Sequence, residues 1–214
     1  GNGNDIDQIR NNTSEMMRVW NGSSLITRNG YLYADGNRNY SGLARQDPCG
    51  VAAGGAKTFY GVSRLVSDAL FLCARFGWHD TYDAGGGHYG FYRTNDLTAP
   101  FDIRVSCGEG ENRCTGDGND VRSWHMGAFQ LTPPGTVGNE TAVYKDGAWL
   151  PSESASSRSL NFDPACWTFV NSVCRSLNDG SRGHWIESAC WDDALGSGDL
   201  DPLYAVVQPL FDLT

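Results

Sequence analysis

Lysine is nearly absent: of sixteen basic residues only Lys57 and Lys145 are lysines, and the arginines never form a run of three. With 25 acidic residues the formal net charge is −9. Nucleic acids and anionic membrane surfaces are recognised by clustered positive charge, so the sequence argues against both as partners. Long apolar runs are missing too, since none approaches the roughly 18–20 residues that cross a bilayer. No CxxC pair occurs, which removes the ligand spacing of most zinc fingers and ribbons. G-x-S-x-G, H-E-x-x-H, the phosphate-binding loop and the dinucleotide fingerprint are also absent, and no cofactor is expected. The N-terminal stretch GNGNDIDQIRNNTSEMM lacks the basic-then-apolar pattern of a signal peptide, so any such peptide is expected to be gone already.

What is present points outside the cell. Seven cysteines, at 49, 73, 107, 114, 166, 174 and 190, without metal spacing, predict a disulfide-bonded extracellular protein. The number is odd, which leaves one thiol free, buried or bonded to another chain. Asn11, Asn12, Asn21, Asn39 and Asn139 each open an N-x-S/T pattern, the acceptor signature of N-glycosylation. At 214 residues with 40% hydrophobic content, the chain can bury a core as one domain. With no repeat and no long linker, residues 1–214 are expected to be a single secreted domain. Within it, residues 1–22 suggest an N-terminal helical segment involved in assembly.

Along the chain, 27 glycines predict many turns and short elements. Asn29-Gly30 between SLITR and YLYA is the strongest hairpin signal. TAVYKDGAWLP reads as a second hairpin with Asp146-Gly147 at its tip. FDIRVSC and VRSWHMGAFQLT read as strands, with Cys107 and Cys114 expected to staple the connection between them. The apolar residues of AKTFYGVSRLVSDALFLCARF follow a 3.6-residue period, which predicts a long buried helix over about 56–76, stopped by Gly77. FDPACWTFVNSVCRSL suggests a further helix starting near Pro164, and DPLYAVVQPLFDL a docked C-terminal strand. The fold class expected is α+β, a strand- and turn-rich domain around one long buried helix.

The densest candidate chemistry is CARFGWHDTYDAGGGHYGFYR, which carries Arg75, Trp78, His79 and His88. Its R-x-x-W-H resembles the distal side of haem peroxidases of the ascorbate and cytochrome c type. That resemblance implies acid-base work for His79, charge stabilisation by Arg75 and an oxidoreductase activity. A proximal histidine on a second helix is then required, and neither His125 nor His184 lies in a helix-like run. The same residues also read as a helix C-cap with Trp78 buried and His79 at the negative end of the dipole, which is the reading preferred. Cys49, a following helix and GHYGFY resemble papain-like cell-wall peptidases, which implies a thiolate paired with His88. GAFQLTP, with Glu111 upstream, is similar to a stretch of lysozyme-like transglycosylases, which implies a carboxylic acid acting on a glycan. Asp117, Asn119 and Asp120 are weak calcium candidates, and an ordinary turn is the reading preferred.

No complete catalytic set emerges. The function expected is that of a secreted, disulfide-bonded, glycosylated structural or adhesive protein, with a subunit of an assembly as one form of it. Its partners would be copies of itself, another extracellular protein or a glycan. The alternatives are a secreted hydrolase of glycan or cell-wall material and a peroxidase-like oxidoreductase.

Overall fold

The computed structural model describes residues 7–8, 18–36, 43–45, 56–65, 73–79, 88–93, 103–107, 110–114, 123–131, 141–149, 167–170 and 183–213. The strands are β1 (Asp7–Gln8), β2 (Thr27–Arg28), β3 (Tyr31–Leu32), β4 (Ala34–Gly36), β5 (Leu43–Arg45), β6 (Lys57–Leu65), β7 (Cys73–His79) and β8 (His88–Arg93). They continue with β9 (Ile103–Cys107), β10 (Gly110–Cys114), β11 (His125–Leu131), β12 (Thr141–Lys145), β13 (Ala148–Trp149), β14 (Trp167–Val170) and β15 (Gly183–Trp191). Among the described residues a single helix, α1 (Ser197–Phe211), follows. One antiparallel sheet runs β1-β5-β14-β7-β8-β9-β10 and a second runs β13-β12-β11-β6-β15-β4. Their strands approach in pairs, β6 with β7, β11 with β8 and β12 with β9, as two stacked layers.

The expectation of an α+β fold around a helix at 56–76 is therefore corrected, since that stretch holds β6 and the start of β7. The physical reason lies in β6 itself. Every residue from Thr58 to Ser63 is buried, because the strand is covered on both faces. Tyr60 and Val62 face α1, packed with Met126, Ala128, Tyr144, Leu200, Val207 and Phe211, while Phe59 and Ser63 are buried on the opposite side. A strand covered on both faces loses its period-2 alternation and reads as a continuous apolar run, which periodicity alone does not separate from a helix.

The C-terminal segment is corrected the other way, from strand to helix. Leu200, Leu203, Tyr204, Val207, Leu210 and Phe211 recur at helical spacing and all belong to the core or pack against it. Pro202 and Pro209 lie inside that helix and mask the pattern, since proline ordinarily breaks one. Asp199 accepts from the Gly196 backbone N–H at 3.2 Å, which closes the N-terminus. Tyr144 Oη donates to Asp201 at 2.7 Å and Trp149 Nε1 to Ser197 Oγ at 2.8 Å, tying the helix to the sheet. The helix expected near Pro164 is likewise replaced, over Trp167–Val170, by β14.

Both hairpins read from the sequence are present. Asn29 and Gly30 take φ of 49° and 84°, and Asp146 and Gly147 take 46° and 89°, the left-handed pair a two-residue turn needs. The first hairpin is clamped onto the end of α1. Arg28 donates to the carbonyls of Phe211 and Asp212, and Asn29 Nδ2 donates to that of Leu210 at 3.1 Å. No basic residue occupies the last turn of α1, so the hairpin supplies the positive charge its C-terminal carbonyls favour.

Candidate functional site

The sequence-expected site residues do not assemble as anticipated. Arg75, Trp78 and His79 lie on β7 and His88 on β8, with His79 paired to His88 and Trp78 to Tyr89, and a bulge between Ala74 and Phe76. The helix end that was to place His79 on a dipole is absent from this stretch, which is an extended central strand. Cys107 and Cys114 lie on neighbouring strands, but Cys107 pairs with Gly110 and Cys114 with Ile103. Four positions along a strand amount to about 13 Å, roughly twice a disulfide's Cα separation, so this register does not bring the expected staple together. Cys49, Asp117, Asn119, Asp120, Asn11, Asn12, Asn39 and Asn139 lie outside the described residues. Asn21 is exposed in a turn, where its Oδ1 accepts from the Ser23 and Ser24 backbone N–H groups at 2.9 and 3.0 Å. Among the described residues no group of three or more His, Cys, Asp or Glu is placed to hold a metal.

What the fold does assemble is a polar row that sequence reasoning missed. Arg64 on β6 pairs in register with His184 on β15, His184 pairs with Asp35 on β4, and Asp35 with Arg18. Cross-strand partners share a face, so the four side chains form one line. Arg64 Nε donates to His184 Nδ1 at 3.0 Å, and His184 Nε2 lies 3.3 Å from Asp35 Oδ1. Arg18 closes the line with an ion pair to Asp35 at 3.3 Å. Because arginine only donates, His184 Nδ1 must accept, which fixes the ring as the neutral Nε2–H tautomer. Burial, and secondarily the charge of Arg64, lowers the His184 pKa to about 4, with Asp35 acting in the opposite direction. Tyr33 and Trp124 pack beside the imidazole, 4.8 and 6.0 Å between ring centroids. Trp124 also carries both Arg64 and Arg28, at 5.3 and 5.6 Å from its centroid.

A second buried cluster sits at the base of the Asp146-Gly147 turn. Asp146 accepts from the Met126 N–H at 2.9 Å, pairs with His125 Nδ1 at 2.6 Å and with Lys145 Nζ at 3.2 Å. His125 and Lys145 are both buried, and the carboxylate keeps the turn and two strands in register.

The turn that precedes the first hairpin, with Leu32 of β3, is the opposite in character. Val19, Trp20, Leu25 and Leu32 are about half exposed, and Trp20 bridges directly to Leu25. Asn21, Ser23 and Ser24 form the polar turn beside them.

No family model and no curated protein matches this chain. Solved structures do resemble its fold. Trypanosoma rangeli sialidase superposes with a TM-score of 0.60 at 12% identity, over 87% of this chain and 29% of that one. A heptameric SAP-like pentraxin from Limulus polyphemus gives 0.53 at 12% identity, over 78% of this chain and 77% of that one. Botulinum neurotoxin type C, in a structure describing cell entry that depends on interaction with two ganglioside molecules, gives 0.51 at 10% identity, over 78% of this chain and 40% of the toxin chain. This chain thus spans well under a third of the sialidase's length. The shared feature is the jelly-roll-like β-sandwich architecture. No helix among the described residues is long and apolar enough to cross a membrane.

Proposed function

We propose that the chain is an extracellular recognition domain with an adhesive role, binding glycans through the Trp20–Leu25 turn that precedes its first hairpin. The observation that carries this reading is Trp20, a residue 50% exposed beside the hydrogen-bonding groups of Asn21, Ser23 and Ser24. Large rings are ordinarily buried, and an exposed one bridged to a second exposed apolar residue, Leu25, suits an interaction surface. A ring joined to polar groups suits a ligand that is apolar on one face and hydroxylated at its rim. The fold supports the reading, being shared with a sialidase and with a toxin whose cell entry involves gangliosides. The seven cysteines and five sequons support placement outside the cell.

Asn21 is then the natural glycan acceptor among the described residues, exposed in its turn. A sugar attached there would sit next to Trp20, so glycosylated and open forms are alternative states of one surface. The test is binding of the purified, enzymatically deglycosylated protein to a panel of immobilised neutral oligosaccharides. Retention that falls at least tenfold in Trp20→Ala, with unchanged circular dichroism, is the expected result. Equal retention by the variant, or no retention by either protein, overturns the proposal.

A further inference from the structure

Among the described residues whose side chains are placed, the lysine and arginine cations of this acidic chain are neutralised with one exception. Arg18 pairs with Asp35, Arg28 with Asp212 and Lys145 with Asp146. Among the described residues whose side chains are placed, Arg64 alone faces no carboxylate within ion-pair distance. It is half-buried and held at two points, by its Nε bond to His184 and by its stacking over Trp124. Asp35, the nearest acid in the row, is already shared between Arg18 and His184. The four N–H groups on the two terminal nitrogens of Arg64 are left without a protein partner among the described residues.

A partly desolvated cation without a counter-charge is costly, yet this one is held in a fixed orientation by its neighbours. A planar guanidinium pre-set in this way matches a carboxylate in two parallel hydrogen bonds. We propose that Arg64 is a carboxylate-binding site and that, on the glycan-binding reading above, the ligand is an acidic sugar of the hexuronic type. The fork supplies the recognition, Trp124 fixes its plane, and His184 fixes its rotation. Arg28, on the same indole, adds positive potential without offering its own fork, which the end of α1 occupies. Because the charge of Arg64 helps keep His184 neutral, an anion seated on Arg64 relieves that effect. His184 is therefore a reporter built into the site.

The experiment titrates the whole chain with methyl glucuronide, methyl glucoside and methyl glucoside 6-sulfate, following the His184 ring by NMR. The expected result is saturable binding of the glucuronide, weakened by salt, at least tenfold tighter than the neutral glucoside and tighter than the sulfate ester. The His184 titration should move upward when glucuronide is bound. Arg64→Gln should lose at least tenfold in glucuronide affinity, and Arg64→Lys should lose the preference for carboxylate over sulfate. If Arg64→Gln fails to fold, the upward shift of His184 in the unmodified protein decides alone. Equal binding of glucoside and glucuronide, an equal or tighter sulfate ester, or an unmoved His184 overturns the assignment. Glucuronide binding at Arg64 without retention of neutral glycans by Trp20 contradicts the earlier proposal and leaves this one standing. Trp20-dependent retention with no acid preference does the reverse.

Discussion

Arg64 donates to the imidazole of His184 at 3.0 Å, and this hydrogen bond fixes the tautomer of the ring in the row that joins three strands to the N-terminal segment. Protonating His184 at Nδ1 removes the acceptor and sets two cations against each other. The groups that face the ring are Arg64 from β6, Asp35 from β4 and, through Asp35, Arg18, with Tyr33 and Trp124 stacked beside it.

The pH dependence follows from that environment. The folded pKa is lowered from 6.5 to about 4, so between those values the unfolded chain binds the extra proton and the folded chain does not. Stability is then complete above about pH 6.5 and falls as the pH drops towards 4, by an amount on the order of 3 kcal/mol. Urea unfolding between pH 7 and 5 should show the loss before most carboxylates titrate. His184→Gln, which can accept from Arg64 and donate to Asp35, should flatten that slope. An unchanged slope in this variant would assign the acid sensitivity to other groups.

The clamp on α1 predicts a graded series. Arg28→Ala removes charge-assisted bonds to the last helical carbonyls and should cost about 1–3 kcal/mol. Asn29→Gly keeps the left-handed turn but loses the bond to Leu210 and should cost about 0.5–1.5 kcal/mol. Asn29→Ala adds backbone strain of about 1–2 kcal/mol. Chemical denaturation ranks the three, and Asn29→Ala no worse than Asn29→Gly would mean that the turn relaxes.

Two turn glycines separate strain from clash. Gly30 has φ of +84° with open space around it, whereas at Gly147, φ +89°, a Cβ would lie 2.9 Å from the Tyr204 ring. Gly30→Ala should cost only the left-handed penalty of about 1–2 kcal/mol. Gly147→Ala should cost clearly more, because Tyr204 packs on the core and has to move. Equal losses would show that Tyr204 yields freely.

Leu200, on the inner face of α1, is fully buried. Leu200→Ala should destabilise by about 2–5 kcal/mol through the cavity it leaves, measured by thermal or urea unfolding. A loss under 1 kcal/mol would mean that the helix is not docked as described.

Local signals in the sequence were legible and those of the tertiary fold were not. Asn29-Gly30 and Asp146-Gly147 announce their turns because few other residue pairs accept the left-handed geometry. The strands at Ile103–Cys107 and His125–Leu131 are short runs set off by Gly-rich turns and by Pro133-Pro134, which makes them readable. β6 misleads because it is covered on both faces, and α1 because two prolines interrupt a pattern that packing enforces. The row from Arg64 to Arg18 brings together residues 64, 184, 35 and 18 only through strand pairing. No spacing within the chain encodes it, and His184, which follows Gly183, reads as part of a loop. The R-x-x-W-H stretch drew attention through its composition, yet on an extended strand those spacings lose the meaning they carry on a helix.

The central claim is that the exposed ring of Trp20 is where a glycan binds. The most direct measurement is the Trp20 indole N–H resonance, assigned by its loss in Trp20→Phe, followed during titration with a neutral oligosaccharide retained from the panel. The account predicts a saturable shift of that resonance, with the buried Trp124 indole unmoved. Saturable binding that shifts other resonances and leaves Trp20 in place would contradict it.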